Sequence, residues 1–394
     1  MKTKIRISKT QLNRFLLKKQ NLDAINDVYL PILVERLCGL HATIATTPYL
    51  SLFSRLPDFK KYDLDLALYE DKSLLRMRSV RKTMYIYPIS LVPAMYQATY
   101  CKSLKDVSKQ MENQGISVGD YERIADRIMF ALKEMPMSAN ELKRFMGAPQ
   151  PLSGLLNRMC ELGILARTRP TGSWKSQAYQ YALFDSHLPE VDLNSVSEEE
   201  ARKIVVKAYL AAFGPAKLED IAWWTDFGKS KVKSALNQMK EEIMKVDVTG
   251  LDGEFLMLFK DLAELGSTAV SDGTVINFLP TLDPYLMAYK DRRRILDDDH
   301  YDFIYDRSGN AAASILLNGE IIGVWDMIGE DELLVKVYIF KMIDETTCGW
   351  IYQMAERTGT FIADRSAAVR RVRDMVPLNK QGVGKVWSPL RDMS

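Results

Sequence analysis

Residues 138–184 read SANELKRFMGAPQPLSGLLNRMCELGILARTRPTGSWKSQAYQYALF, and the order of local signals in this stretch indicates the fold of its unit. Ser138 followed three residues later by Glu141 is a capping box, which predicts the start of a short helix. A second helix is predicted from Leu152 to Leu162, and it ends at Gly163, a residue type that stops helices. The stretch therefore opens with two short helices in close succession.

Two β-like runs complete this unit. They extend from Ile164 to Arg169 and from Ala178 to Phe184, and a turn-rich segment at residues 170–173 separates them. The preceding residues 121–134 carry apolar side chains at helical spacing, which predicts one more helix. Three helices followed by a two-stranded hairpin predict a winged helix-turn-helix.

A second stretch of the chain repeats this plan, which is why the two are treated as tandem units. Its helices and strands are predicted at Glu198 to Phe213, Leu218 to Trp224, Lys229 to Glu241, Met244 to Val248 and Phe255 to Phe259. The acidic, serine-containing segment 190–197 is interpreted as the linker between the units. Lys229 and Lys233 fall on the exposed side of the third helix, where they either meet DNA phosphates or are simply solvated.

The two ends of the chain differ from these central units. Residues 7–117 are predicted to be mostly helical with one β-like run, from Lys82 to Tyr87. Strands dominate after Thr274, and Asn318-Gly319 is a strong hairpin signal between two of them.

These ends complete an α+β protein with tandem winged-helix domains and a C-terminal small β-sheet or barrel, capped by a helix from Glu345 to Thr358. The predicted domains are 1–117, 118–190, 191–266 and 267–394.

The composition excludes several classes of protein. The chain has 394 residues, 53 Lys and Arg against 51 Asp and Glu, and a net charge of +2, so DNA binding requires local basic patches rather than an overall positive field. Four widely separated cysteines favour reduced thiols and argue against a zinc site, so neither a metal nor a cofactor is expected. No apolar run approaches the length of a membrane span, and a cytoplasmic protein without an obligate protein partner is expected.

Four segments of the sequence resemble the bacterial winged-helix DNA glycosylases that remove alkylated bases and unhook interstrand crosslinks. The segments are GLHAT at 39–43 with PYLSL at 48–52 and SRL at 54–56; VRKTM at 80–84; YLAAFGPA at 209–216 with Trp223-Trp224; and LPTLDPY at 279–285 with Asp291-Arg292. The resemblance implies three tandem winged-helix units and a C-terminal β domain, which together form a C-shaped clamp around double-stranded DNA with modified bases.

The resemblance also assigns the catalytic motif. Where members of that family carry Gln, an apolar residue and then Asp or Gln, this sequence has His41-Ala42-Thr43, so it resembles a divergent His-x-Thr branch. A neutral His41 would accept the proton of the attacking water, and the Thr43 hydroxyl would orient that water. A stripe of leucines from Leu30 to Leu40 predicts that the motif lies at a helix end. The alternative for His41 is a helix-terminal histidine that satisfies a backbone carbonyl.

Asp283 lies in the last of the four resembling segments and is the candidate supporting carboxylate. Its alternative role is to order a loop through backbone amides. The predicted DNA-binding residues, which include the basic cluster of the C-terminal part and a tryptophan at the wing of the second unit, are Thr47, Tyr49, Arg81, Lys82, Tyr85, Trp174, Lys175, Lys229, Lys233, Arg292 and Arg293. Tyr85 stands where many relatives have His, and Trp174 could instead pack on its own hairpin.

The sequence therefore predicts a monofunctional DNA glycosylase that excises a bulky, alkylated or hypermodified base, in DNA repair, self-resistance or antiphage defence. The alternative is a non-catalytic winged-helix DNA-binding protein or transcriptional regulator. A lysine nucleophile that forms a Schiff base has no supporting motif in the sequence.

Overall fold

Small sheets covered by helices build the protein, and a computed structural model describes residues 5–23, 27–99, 118–147, 152–268, 273–329, 333–381 and 388–390. The helices are α1 (Lys9–Lys19), α2 (Leu30–Arg36), α3 (Thr47–Phe53), α4 (Lys61–Asp65), α5 (Val92–Thr99), α6 (Val118–Ala131), α7 (Ala139–Met146), α8 (Ser153–Glu161), α9 (Phe184–His187), α10 (Glu198–Phe213), α11 (Leu218–Thr225), α12 (Lys229–Gln238), α13 (Leu262–Ser267), α14 (Pro284–Met287), α15 (Tyr301–Ile304) and α16 (Glu345–Ala363). The strands are β1 (Ile5–Ile7), β2 (Leu40–His41), β3 (Leu74–Arg78), β4 (Met84–Pro88), β5 (Met137–Ser138), β6 (Leu165–Pro170), β7 (Tyr179–Leu183), β8 (Ile243–Val248), β9 (Phe255–Leu258), β10 (Ile276–Leu279), β11 (Ser314–Leu317), β12 (Glu320–Ile328), β13 (Leu334–Ile339) and β14 (Ala368–Arg371). The predicted α+β class is confirmed, with three three-stranded sheets and one five-stranded sheet in the described part of the chain. Within the same residues, no helix is both long and apolar enough to cross a membrane.

The unit from α6 to β7 follows the sequence signals closely, with a sheet of order β5-β7-β6. The Ser138 hydroxyl accepts the Glu141 N–H at 3.3 Å, and the Glu141 carboxylate accepts the Ser138 N–H at 2.7 Å, so the predicted capping box starts α7. Gly147 ends that helix with φ 60°. The predicted boundary at residue 117 lies outside the described residues.

The same order of elements recurs in the N-terminal part, from α2 through β2, α3 and α4 to β3 and β4. Its sheet has the order β2-β4-β3, so the prediction of a single β-like run is wrong, although helices outnumber strands in the described residues of this part. The predicted run begins too early, because residues 80–82 form a turn of 3-10 helix before β4. Strand β2 is two residues long, and β3 reads LLRMR without alternation of apolar and polar residues. Neither segment therefore shows the period of two that predicts a strand.

The third unit contains α10, α11, α12 and the hairpin of β8 and β9. Helix α12 ends at Gln238, three residues before the predicted Glu241, and Val232, Ala235 and Met239 form its buried stripe. Its sheet is completed by β1, which pairs with β8 in parallel, Ile5 opposite Val246. The N-terminal strand β1, which the predicted domain boundaries place in the first domain, therefore belongs to the sheet of the third unit.

The C-terminal sheet has the order β10-β11-β12-β13-β14. The predicted hairpin at Asn318-Gly319 is present, and both residues have positive φ, 53° and 85°, as a tight turn of this type requires. Strand β14 pairs with β13 in parallel and was not predicted. Helix α16 continues five residues beyond the predicted Thr358, to Ala363, and buries Ile351, Ala355 and Ile362 against the sheet.

The β2-β4-β3 sheet separates two hydrophobic cores, and this separation positions the motif. His41 lies opposite Tyr85 in the register, and Tyr85 lies opposite Met77, so these three side chains share one face. Leu40 and Ile86 lie on the other face, where they pack with α2, α3 and α4. His41 therefore faces the larger core that contains Tyr85 and Tyr87.

Candidate active site

A sharp turn, and not a helix end, presents His41-Ala42-Thr43. Helix α2 ends at Arg36, and the chain reverses through Cys38 and Gly39, which have φ of 53° and 94°. A Cβ atom on Gly39 would lie 2.4 Å from the Tyr87 ring, so only glycine fits this turn. The prediction that the leucine stripe runs as helix up to His41 is therefore wrong, because Leu40 and His41 pair with β4.

The His41 imidazole is buried and neutral. Its exposed fraction is 3%, its ring centroid lies 5.0 Å from that of Tyr85, and Nδ1 accepts the Thr43 N–H at 3.4 Å. Burial, and secondarily the positive charge of Arg81, lowers the pKa of His41 to about 3. With Nδ1 accepting, the neutral ring carries its proton on Nε2, so His41 offers a hydrogen-bond donor and is a poor proton acceptor.

Three hydrogen bonds fix the position of Thr43. Its N–H donates to His41, its Oγ1 accepts the Met84 N–H at 3.3 Å, and its carbonyl accepts the Gln177 side-chain amide at 3.1 Å. Among the described residues, no carboxylate hydrogen-bonds to His41 or Thr43. The motif therefore consists of neutral groups whose orientation is fixed by β4 and by a second unit of the protein.

Acid is expected to weaken the fold through His41. A histidine in the unfolded chain titrates near ~6.5, so below that pH the unfolded state binds a proton that the folded state refuses until about pH 3. The contribution of neutral His41 to the free energy of unfolding is fully present above pH ~6.5. Below that pH it is lost at about 1.4 kcal/mol per pH unit. Between pH ~7 and ~5, the free energy of unfolding of the wild type should fall by about 2 kcal/mol more than that of His41→Gln.

Urea denaturation of both proteins at the two pH values measures this difference. His187, whose pKa burial lowers to about 4, titrates in both proteins and cancels in the comparison. An identical pH dependence of the two proteins would show that His41 is not buried in its neutral form.

Two arginines share one indole ring beside the motif. Arg81 lies in the turn before β4, and its guanidinium is 4.2 Å from the Trp223 ring centroid, while that of Arg292 is 4.5 Å from the same ring. Arg81 also donates to the Ser308 carbonyl at 2.9 Å. Among the described residues, neither arginine has a carboxylate within ion-pair distance, so this cluster keeps a net positive charge.

Several predicted DNA contacts lie in the interior. Thr47 is buried and donates to the Thr281 carbonyl at 2.8 Å, and Tyr49 is buried and donates to Asp65 at 2.6 Å. Tyr85 is buried and stacked on Tyr87. All three side chains therefore pack in the interior of the structure, and their direct contact with DNA stays a prediction.

Arg292 also lies in the interior. It is 3% exposed, its Nη2 reaches only the Gly309 carbonyl at 3.4 Å, and its Nε and Nη1 have no hydrogen-bond partner among the described residues. The neighbouring Arg293 is exposed, but it pairs with Asp291 at 2.8 Å and with Asp252 at 3.7 Å. Of this pair of neighbouring arginines, Arg292 is therefore internal, and the charge of Arg293 is neutralised by nearby carboxylates.

Asp283 is a structural residue. It is fully buried and accepts both terminal nitrogens of Arg55 at 2.8 Å, the Ser51 hydroxyl at 2.7 Å and the Tyr285 N–H at 2.9 Å. These contacts fix the start of α14, as expected of a loop-ordering aspartate. All of its described partners are structural, so the role of supporting carboxylate is a prediction that the structure does not favour.

The remaining basic residues lie at the surface. Lys82, Lys175, Lys229 and Lys233 are exposed, and Lys229 forms an ion pair with Glu219 at 2.8 Å. Trp174 was predicted for stacking or groove insertion, but its ring is half-buried, with centroids 5.2 Å from Tyr49 and 6.2 Å from Phe361. The ring therefore packs against α3 and α16, and its contact with DNA stays a prediction.

Comparison with known proteins identifies the class as DNA glycosylase. The model of the AlkZ-like DNA glycosylase family matches residues 34–361 of the chain. The chain is 24% identical over 349 residues to the interstrand DNA cross-link repair glycosylase of Streptomyces sahachiroi, which covers 83% of this chain and 88% of that protein. The solved structure of the DNA glycosylase AlkZ from the same organism has a TM-score of 0.73 at 21% identity and covers 93% of this chain and 100% of that one.

The chain belongs to the AlkZ-like DNA glycosylase family. The predicted resemblance to DNA glycosylases is thereby confirmed at the level of the family. The His-x-Thr branch and the roles of individual residues stay predictions.

Proposed function

We propose that this protein is a monofunctional DNA glycosylase that hydrolyses the N-glycosidic bond of a bulky, alkylated or hypermodified base in duplex DNA. The observation that carries the proposal is the buried, neutral His41, whose orientation is fixed through Thr43 beside a positively charged cluster. We interpret the three units with a shared order of elements as winged-helix domains, which supports a DNA substrate.

The site favours a base that leaves easily. Hydrolysis of the N-glycosidic bond passes through an oxocarbenium-like sugar, which a carboxylate stabilises. Here His41 supplies a neutral donor, Thr43 supplies a hydroxyl, and Arg81 contributes a positive field that does not stabilise a sugar cation. A cationic N-alkylated purine needs the least help, because its departure neutralises its own charge. This chemistry fits crosslinked DNA, the substrate named for the Streptomyces relative.

The exposed lysine of the turn before β4 should contact a DNA phosphate. Lys82 has φ 56° and projects from the same tight turn as Arg81. Its replacement by glutamine is expected to weaken binding and to reduce the slope of log K against log salt by about 0.9, the release of one counterion. Fluorescence anisotropy with duplex DNA at several salt concentrations measures the slope.

Lys245→Gln is the matched control, because Lys245 is exposed but paired with Glu254 at 2.7 Å. Its slope should equal that of the wild type. A Lys82→Gln slope equal to the wild type would remove this turn from the DNA interface.

The function is tested with purified protein and three duplexes, which carry N7-alkylguanine, a nitrogen-mustard crosslink or glucosylated hydroxymethylcytosine. Abasic sites are counted against His41→Ala as background. Release from the first two duplexes is expected. Salt-dependent binding without release from any duplex would instead support a non-catalytic DNA-binding protein or regulator, a role that the absence of a carboxylate contact at the described motif favours.

A further inference from the structure

The tip of the β6-β7 hairpin, residues 171–178, is here named the wing tip, and it is docked against two other parts of the protein. The Trp174 ring lies edge-on to Tyr49 of α3 and near Phe361 of α16. The Lys61 ammonium is 4.7 Å from the Trp174 ring centroid and 2.7 Å from Asp364. Contacts of the Trp174 ring with two aromatic rings and a cation fix the position of the wing tip.

This docking brings Gln177 to the motif. The Gln177 Nε2 donates to the Thr43 carbonyl at 3.1 Å, a contact between residues 134 positions apart in the chain. Gln177 is otherwise an exposed residue, and its amide oxygen has no hydrogen-bond partner among the described residues. Downstream in the same hairpin, the Tyr179 hydroxyl accepts Arg76 Nη1 at 2.6 Å and secures β7 against β3.

The motif offers few free acceptors to a water, and Gln177 can supply another. An attacking water must point a lone pair at the sugar, so at least one of its protons needs an acceptor. His41 Nδ1 already accepts the Thr43 N–H, and Thr43 Oγ1, which accepts the Met84 N–H, has one lone pair left. An amide offers both a donor, which here binds Thr43, and an acceptor oxygen.

We propose that Gln177 is a positioning residue of the active site, which the wing tip delivers from the second unit to hold Thr43 and to orient the attacking water. This inference rests on the proposed function. The C1′–N bond breaks with its electron pair on the departing base, the water oxygen bonds to C1′, and the released water proton passes to solvent. Gln177 orients the water and takes no proton.

Single-turnover base release tests the proposal. Gln177→Ala should lower the rate about tenfold with DNA Kd within about twofold of the wild type, since the amide acts on the water and not on DNA affinity. Trp174→Ala should give a similar loss, because it releases the wing tip. The double variant should lose no more than the single variants, since both act through one contact.

Gln180→Ala is the matched control, a glutamine on the same hairpin, and its rate should be unchanged. A Gln177→Ala rate within twofold of the wild type, an equal loss of rate and affinity, or multiplicative losses in the double variant would each overturn the proposal.

Amide hydrogen exchange at residues 42–45 gives a readout that is independent of catalysis. Exchange should be faster in Gln177→Ala and Trp174→Ala than in Gln180→Ala, because the Thr43 carbonyl loses its anchor. Unchanged exchange would overturn the contact itself. If the wild type releases no base, the proposed function fails, and the exchange data still decide whether Gln177 holds Thr43.

Discussion

Replacement of Asp283 by alanine is expected to lower the free energy of unfolding by about 3–5 kcal/mol. Arg55 and Asp283 are both fully buried, and their two bonds of 2.8 Å join the residues just beyond α3 to the start of α14. Without the carboxylate, a guanidinium charge stays in the interior with no counterion, and the Tyr285 N–H loses its cap. Urea denaturation measures the loss.

Two variants give this prediction its controls. Glu254→Ala breaks an exposed ion pair with Lys245 and should cost less than about 1 kcal/mol. The double variant Arg55→Met with Asp283→Leu removes both charges and should be more stable than Asp283→Ala alone. A loss from Asp283→Ala as small as that from Glu254→Ala would show that the pair does not carry the interface between these helices.

The His41→Ala variant should release base on the order of 10²-fold more slowly, with DNA affinity nearly unchanged. The substitution removes the Nε2–H donor and frees the Thr43 N–H that Nδ1 accepts, so both members of the motif lose their orientation. Lys82, which we propose to contact DNA, stays in place. Single-turnover kinetics and anisotropy, performed at one salt concentration, separate the two effects.

His41→Gln tests the role of the donor, since its side-chain amide can place an N–H near the position of Nε2 and should recover part of the rate. His300→Ala is the control, because His300 stacks on Phe340 in the C-terminal part at 4.0 Å between ring centroids. Equal losses of rate and affinity in His41→Ala would show that His41 contributes to binding and not to the chemical step.

The features that the sequence predicted well are those that short segments determine. The capping box at Ser138 and Glu141 and the turn at Asn318-Gly319 depend on residues within four positions, and the structure contains both. Strand β2 has two residues and exists because β4 pairs with it, so no local period announces it.

The candidate site was predicted only in part for the same reason. The resemblance singled out His41 and Thr43, but it carries no information on exposure, and Tyr49 proved to be interior. Nothing in the sequence pointed to Gln177, because its contact with Thr43 depends on how Trp174 packs between α3 and α16.

The parallel pairing of β1 with β8 has a consequence for how the chain is made. Ile5 leaves the ribosome long before Val246, its partner in the register. The first strand therefore cannot pair with β8 until more than half of the protein has been synthesised. Lys19 has the same dependence, since Asp261 neutralises it at 2.7 Å. Contacts of such high sequence separation slow folding and join the tandem units into one cooperative structure. The N-terminal strand therefore joins the fold only when the third unit forms. A fragment that lacks the N-terminal residues would leave β8 as an unpaired edge of the β1-β8-β9 sheet.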